Sequence, residues 1–89
     1  MAKAETVHDP CAAMKHAIED LRKAVPGDER KVAEAQGALD AVLGQADPDP
    51  AAVAAARGNL RLAQGQLADD QGQLEGFTEE YEADCLHRA

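Results

Sequence analysis

The apolar residues of this sequence form two series that mirror each other around the segment Asp47-Pro48-Asp49-Pro50. On both sides, apolar positions recur at alternating spacings of four and three residues, which is the heptad pattern of packed helices. Seven apolar positions before the segment have an apolar counterpart after it, and the two residue numbers add up to the same value in every pair. A constant sum predicts an antiparallel helical hairpin that folds near residue 48. The pairs are Met14 with Tyr81, Ile18 with Phe77, Leu21 with Leu74, Val32 with Ala63, Ala35 with Leu60, Leu39 with Ala56, and Val42 with Val53.

Length and composition agree with a small helical domain. The chain has 89 residues, one Phe, one Tyr, no Trp and few β-branched residues, which favours an all-α fold. We therefore predict one domain, residues 1–89, that forms a long, coiled-coil-like antiparallel hairpin. Residues 1–8 are expected to be frayed, 9–25 and 28–45 to form the first arm, 46–50 the turn, and 51–87 the second arm.

The segment Val25-Pro26-Gly27-Asp28 interrupts the first arm. Proline and glycine both disfavour helix, and Asp28 could cap a new helical start. Because the heptad phase continues across the segment, we predict a kink or a short break at Val25–Gly27 rather than a chain reversal. The alternative is a three-helix bundle in which the second arm also bends, near Gly65 or Gly72. Since Asp28 and Asp70 occupy seam positions and buried carboxylates are costly, the middle of the hairpin is expected to be splayed and hydrated.

The two cysteines, Cys11 and Cys85, fall side by side at the open end of the predicted hairpin. A disulfide there would close most of the chain into a loop, so we predict this bond. Two alternatives remain open. The cysteines could be free thiols, or they could bind a metal together with His8 and His87, although their spacing matches no zinc-finger pattern.

No set of residues with catalytic spacing is present. The sequence contains no serine and no glycine-rich phosphate loop, and its one Glu-x-x-His pair, Glu5 with His8, lacks the second pair that a di-iron bundle requires, so we predict neither an enzyme nor a cofactor. A net charge of −8 argues against nucleic acid and anionic membranes as partners. No apolar run approaches the ~18 residues of a membrane span. As written, the chain is expected to be cytoplasmic, with export or a lost signal left open.

Glycines recur every seven residues in the second arm, at Gly58, Gly65 and Gly72. Each costs about 1 kcal/mol of helix stability relative to alanine. Because these positions lie off the hairpin seam, we interpret them as a second contact face, where small residues let another helix approach. The alternative is a drift in composition with no role in packing.

These features predict a non-enzymatic helical interaction module, such as a small adaptor, inhibitor or assembly protein, that self-associates. Its unknown protein partner would be basic if the acidic surface selects it. One alternative is a metal-binding or redox-sensing hairpin that uses the terminal Cys and His residues. Another follows from fold-level analogy alone: the hairpin resembles transcription factors that insert an acidic coiled-coil tip into the RNA polymerase secondary channel. Asp47 and Asp49 would then be the tip acids.

Overall fold

The computed structural model describes residues 9–86, which form an antiparallel hairpin of two long helices. Helix α1 spans Pro10–Leu43 and helix α2 spans Pro50–Tyr81, and α2 continues into a π-helical turn, Glu82–Leu86. The helices are about 51 and 48 Å long, and the hairpin has principal extents of 70 × 29 × 15 Å. The predicted all-α hairpin is confirmed. The three-helix bundle is wrong, since α2 runs without interruption through Gly65 and Gly72. The segment predicted to be frayed, residues 1–8, lies outside the described residues.

Both helices begin at an Asp-Pro pair. Asp9 caps α1, where its Oδ1 accepts a hydrogen bond from the backbone N–H of Cys11 at 3.0 Å. Asp49 caps α2, where its Oδ2 accepts from the N–H of Ala52 at 3.3 Å. In each case the following proline occupies the first helical position, where its missing N–H would have had no helical partner. The turn between the helices therefore covers residues 44–49.

Helix α1 continues through Pro26. The predicted break is absent, and a kink at Val25–Gly27 is not confirmed; Asp28 lies inside the helix and starts no new one. Proline removes one helical hydrogen bond, which leaves the carbonyl of Arg22 without its usual donor. Pro26 and Arg22 are both exposed, so water can reach this side of the helix. Packing of the apolar residues along the seam, on the opposite side of α1, then keeps the heptad register unchanged across Pro26.

The seam between α1 and α2 is the core of the molecule. All paired positions predicted from the sequence are buried or partly buried, and Ile18, Leu39 and Ala56 are the buried apolar residues among those described. None of the described side chains has an exposed fraction below 2%, so the core is one layer thick. No helix within residues 9–86 has the length and apolar character needed to cross a bilayer.

Candidate functional site

The open end of the hairpin is closed by a disulfide between Cys11 and Cys85. The two sulfur atoms are 2.05 Å apart and the two Cα atoms 5.9 Å apart. Cys11 lies in the first turn of α1, and Cys85 lies in the π-helical turn that follows α2. The register deduced from the apolar pairs therefore places the cysteines correctly, and the predicted disulfide is confirmed.

The disulfide also bears on the alternative metal site. Both thiols are used in the S–S bond, so neither is a thiolate ligand in this state. The other two predicted ligands, His8 and His87, lie outside the described residues. Within residues 9–86, no group of three or more His, Cys, Asp or Glu side chains is arranged to hold a metal ion.

A shallow pocket lies beside the disulfide, between the start of α1 and the end of α2. Ile18, Tyr81 and Leu86 form its apolar part, and its volume is about 170 Å³. Lys15 and Glu82 are among the charged residues at its edge. This volume is smaller than the roughly 300–1,000 Å³ of typical small-molecule sites. The pocket is therefore a poor candidate for binding a substrate or cofactor.

The tip of the hairpin carries the two acids that the polymerase analogy requires. Asp47 is exposed in the turn. Asp49 is also exposed, but its carboxylate caps α2 through Ala52. Asp49 thus has a structural role that accounts for its presence, and Asp47 is the tip acid whose side chain is not a helix cap.

The three glycines Gly58, Gly65 and Gly72 follow one face of α2, away from the seam. A Cβ atom built at any of them would have no side-chain or tertiary neighbour within 4 Å. An alanine would therefore fit at each position without a clash. The hairpin itself does not require glycine here, although each glycine lowers the stability of the helix.

Leu62 lies on the same face, four residues after Gly58 and three residues before Gly65. Residues at these spacings are neighbours on a helix surface. Its exposed fraction is 75%, the largest among the exposed large apolar side chains, ahead of Leu86 at 59% and Leu43 at 45%. We call Gly58, Leu62, Gly65 and Gly72 the outer face of α2. It combines an exposed apolar side chain with gaps on either side of it.

The middle of the hairpin contains a pair of acidic residues, Asp28 from α1 and Asp70 from α2. Asp28 has an exposed fraction of 7% and is the buried polar residue of the described chain. Its Oδ2 is enclosed and accepts no hydrogen bond from a described N–H or hydroxyl group. Asp70 is partly buried, and Nε2 of Gln66 donates to both of its carboxylate oxygens at 3.2 Å. The expectation of a splayed, hydrated middle is therefore wrong at Asp28.

The two carboxyl groups have opposite pKa shifts because they share a hydrogen bond. This bond raises the pKa of Asp28 above its usual 3.8, and burial and the charge of Asp70 raise it further, while Lys31 acts in the opposite direction. The same bond lowers the pKa of Asp70, and the hydrogen bonds from Gln66 lower it further. A hydrogen bond between two carboxyl groups needs one proton, since ionised carboxylates can only accept. The raised pKa makes Asp28 the member of the pair that binds a proton more readily.

Two of these features were not predicted from the sequence. Leu62 stands two residues after the seam residue Leu60, and a leucine at that offset on a heptad is a visible signal of a second apolar position. The pairing of Asp28 with Asp70 has a weaker signal. Both occupy heptad seam positions, but the constant sum pairs each of them with an apolar residue.

Comparison with known proteins does not extend these observations, because no known family, curated protein or solved structure matches the chain.

Proposed function

We propose that this protein is a non-enzymatic helical interaction module that self-associates through the outer face of α2. The observation that carries the proposal is the 75% exposure of Leu62 between two glycines whose side-chain space is empty. An exposed leucine loses the benefit of burial, which is about 1.5–3 kcal/mol for a fully buried side chain. A second helix that covers this face would recover part of this free energy of burial.

The spacing of the outer face suits an antiparallel second copy. A two-fold axis that passes between residues 63 and 64 would set Leu62 of each copy against Gly65 of the other. This arrangement is isologous, so one patch serves both copies. The absence of a side chain at Gly65 would make room for the leucine, as in knobs-into-holes packing.

The size and charge of the face predict a weak association. From Gly58 to Gly72 the outer face is about 21 Å long and one helix wide. Its area is therefore smaller than the ~800 Å² per partner of a standard interface. Two copies with a net charge of −8 each also repel one another. We therefore expect dimers at high micromolar concentration and at a physiological ionic strength, where charges are screened over about 8 Å.

The variant Leu62→Glu tests this interface. A charge at the centre of the outer face should abolish self-association, because the carboxylate would be buried without a partner. The helical content should not change, since Leu62 lies off the seam. Sedimentation equilibrium at high micromolar concentration would measure the association, and circular dichroism would measure the fold.

Leu43→Glu is the matched control, because Leu43 is also an exposed leucine but lies at the end of α1. This variant should associate like the wild type. A wild-type protein that is strictly monomeric at high micromolar concentration would contradict the proposal. Equal loss of association in the two variants would show that the outer face is not the interface.

We infer further that the protein acts in an oxidising compartment, in place of the cytoplasmic location expected from the sequence as written. The disulfide supports this, because such bonds persist in oxidising environments and are rare in the cytosol of mesophiles. Trapping of thiols in acid-quenched native cells would measure the state of Cys11 and Cys85. The oxidised form should dominate, and fully alkylated cysteines would contradict the inference.

A further inference from the structure

The middle of the hairpin places an enclosed carboxyl group against a second one. Asp28 projects from α1 into the seam with an exposed fraction of 7%, and its side chain hydrogen-bonds with that of Asp70 on α2. Its Oδ2 is enclosed and has no hydrogen-bond partner among the described residues. A buried carboxylate with an unsatisfied oxygen is unfavourable, whereas a carboxylic acid that donates to Asp70 is satisfied.

The surroundings of Asp70 favour its carboxylate form, which can accept a hydrogen bond from Asp28. Gln66 lies one helical turn before Asp70 and binds both of its oxygens, which orients the carboxylate and favours its charged form. The charged group outside the pair that acts on both carboxyl groups is Lys31 from α1. Lys31 is exposed, so solvent weakens its attraction for the two acids.

We propose that Asp28 and Asp70 form a proton-dependent clamp, which closes the middle of the hairpin when the pair holds one proton and loosens it when the proton leaves. In the closed state, the O–H of Asp28 donates to the carboxylate of Asp70. When the pH rises, the proton passes to water and two negative charges remain at the seam. The two negative charges repel each other, and the enclosed oxygen gains by contact with water. The inference is independent of the proposed self-association.

The position of the clamp explains where the hairpin would loosen. Asp28 lies two residues after Pro26, where α1 lacks one of its backbone hydrogen bonds. The apolar residues with the lowest exposure, Ile18 on one side and Leu39 and Ala56 on the other, are well away from the clamp along the hairpin. Separation of the helices near Asp28 would therefore leave both ends of the seam packed.

The direction of the pH dependence follows from the two pKa shifts. Asp28 has a raised pKa, so its contribution to stability is complete below the unfolded value, near 3.8, and is lost as the pH rises through its folded value. Asp70 has a lowered pKa, so its contribution is lost as the pH falls through its folded value. The clamp is therefore strongest in the acidic window between the two folded values and weaker at pH 7.

The variant Asp28→Asn tests the clamp, because its amide donates to Asp70 at every pH. We expect its melting temperature to match that of the wild type near pH 4 and to exceed it by a few degrees at pH 7. Asp69→Asn is the matched control, since Asp69 is the exposed neighbour of Asp70. The difference in melting temperature between Asp69→Asn and the wild type should not increase from pH 4 to pH 7. Thermal unfolding followed by circular dichroism across pH 4–7 gives these values.

A second measurement keeps the test independent of any variant. The carboxyl ¹³C signals of Asp28 and Asp70 in the wild type, followed by NMR against pH, should titrate above and below the usual aspartate range respectively. The proposal fails if both carboxyl groups titrate normally. It also fails if Asp28→Asn lowers the melting temperature at pH 7 or shifts it by the same amount at every pH.

Discussion

Replacement of Cys11 and Cys85 by serine is expected to lower the melting temperature by roughly 15–30 °C while leaving the protein helical at low temperature. The disulfide joins residues that are 74 positions apart, and the chain-entropy relation assigns about 4 kcal/mol to a loop of this length. For a domain of this size, 1 kcal/mol corresponds to about 4–8 °C. The hairpin has one layer of core, so little else limits fraying of its open end.

Thermal unfolding by circular dichroism of the oxidised wild type, the reduced wild type and the double serine variant measures this effect. The reduced wild type is the control for the substitutions: it should unfold close to the serine variant, and reductant should not change the variant further. Serine replaces each thiol with a group of similar size that cannot form the bond. Equal melting temperatures for the oxidised and reduced wild type would contradict the expected role of the disulfide.

The path from sequence to this disulfide shows what the pattern of residues can predict. The heptad spacing specifies which face of each helix is apolar, and the position of the turn then specifies the register of the two faces. Those two facts place Cys11 beside Cys85 although they are far apart in the chain. The helix starts at Asp9 and Asp49 follow from capping, which is a local property of the residues.

The course of α1 through Pro26 could not be deduced in the same way. Local propensity at Val25–Gly27 opposes a helix, and the sequence contains no measure of how much seam packing opposes that tendency. The outcome depends on whether the carbonyl of Arg22 faces solvent, where water can replace the lost hydrogen bond. This is a property of the folded hairpin.

The burial of Asp28 was missed for a related reason. A pattern of apolar positions treats aspartate as charged and places it in water. In the folded hairpin, the carboxyl group of Asp70, which Gln66 holds in place, stands next to it, and the raised pKa of Asp28 favours its uncharged form. The register alone pairs Asp28 with an apolar residue, so its contact with Asp70 could not be inferred from the register.

The outer face of α2 leads to an expected result with two opposite parts. Replacement of Gly58, Gly65 and Gly72 by alanine should raise the free energy of unfolding of the monomer by about 3 kcal/mol, since each exchange contributes about 1 kcal/mol. The three sites are about 10 Å apart along the helix, so their effects should add. The same variant should self-associate less, because the new methyl groups fill the gaps that Leu62 of a second copy would occupy. Urea unfolding at low protein concentration measures the first part, and sedimentation at high concentration the second.

Gly37→Ala separates the two effects. Gly37 lies in α1, and a Cβ built there also has no neighbour within 4 Å, so this variant should be stabilised by about 1 kcal/mol without a change in association. Stabilisation of the triple variant with unchanged association would show that the glycines reflect composition alone. Loss of association together with a gain in stability would instead mean that the glycines lower the stability of the monomer and favour contact with a second helix. A gain in monomer stability together with a loss of association is expected of a binding surface. Glycines that served only the fold would not lower the stability of the folded monomer.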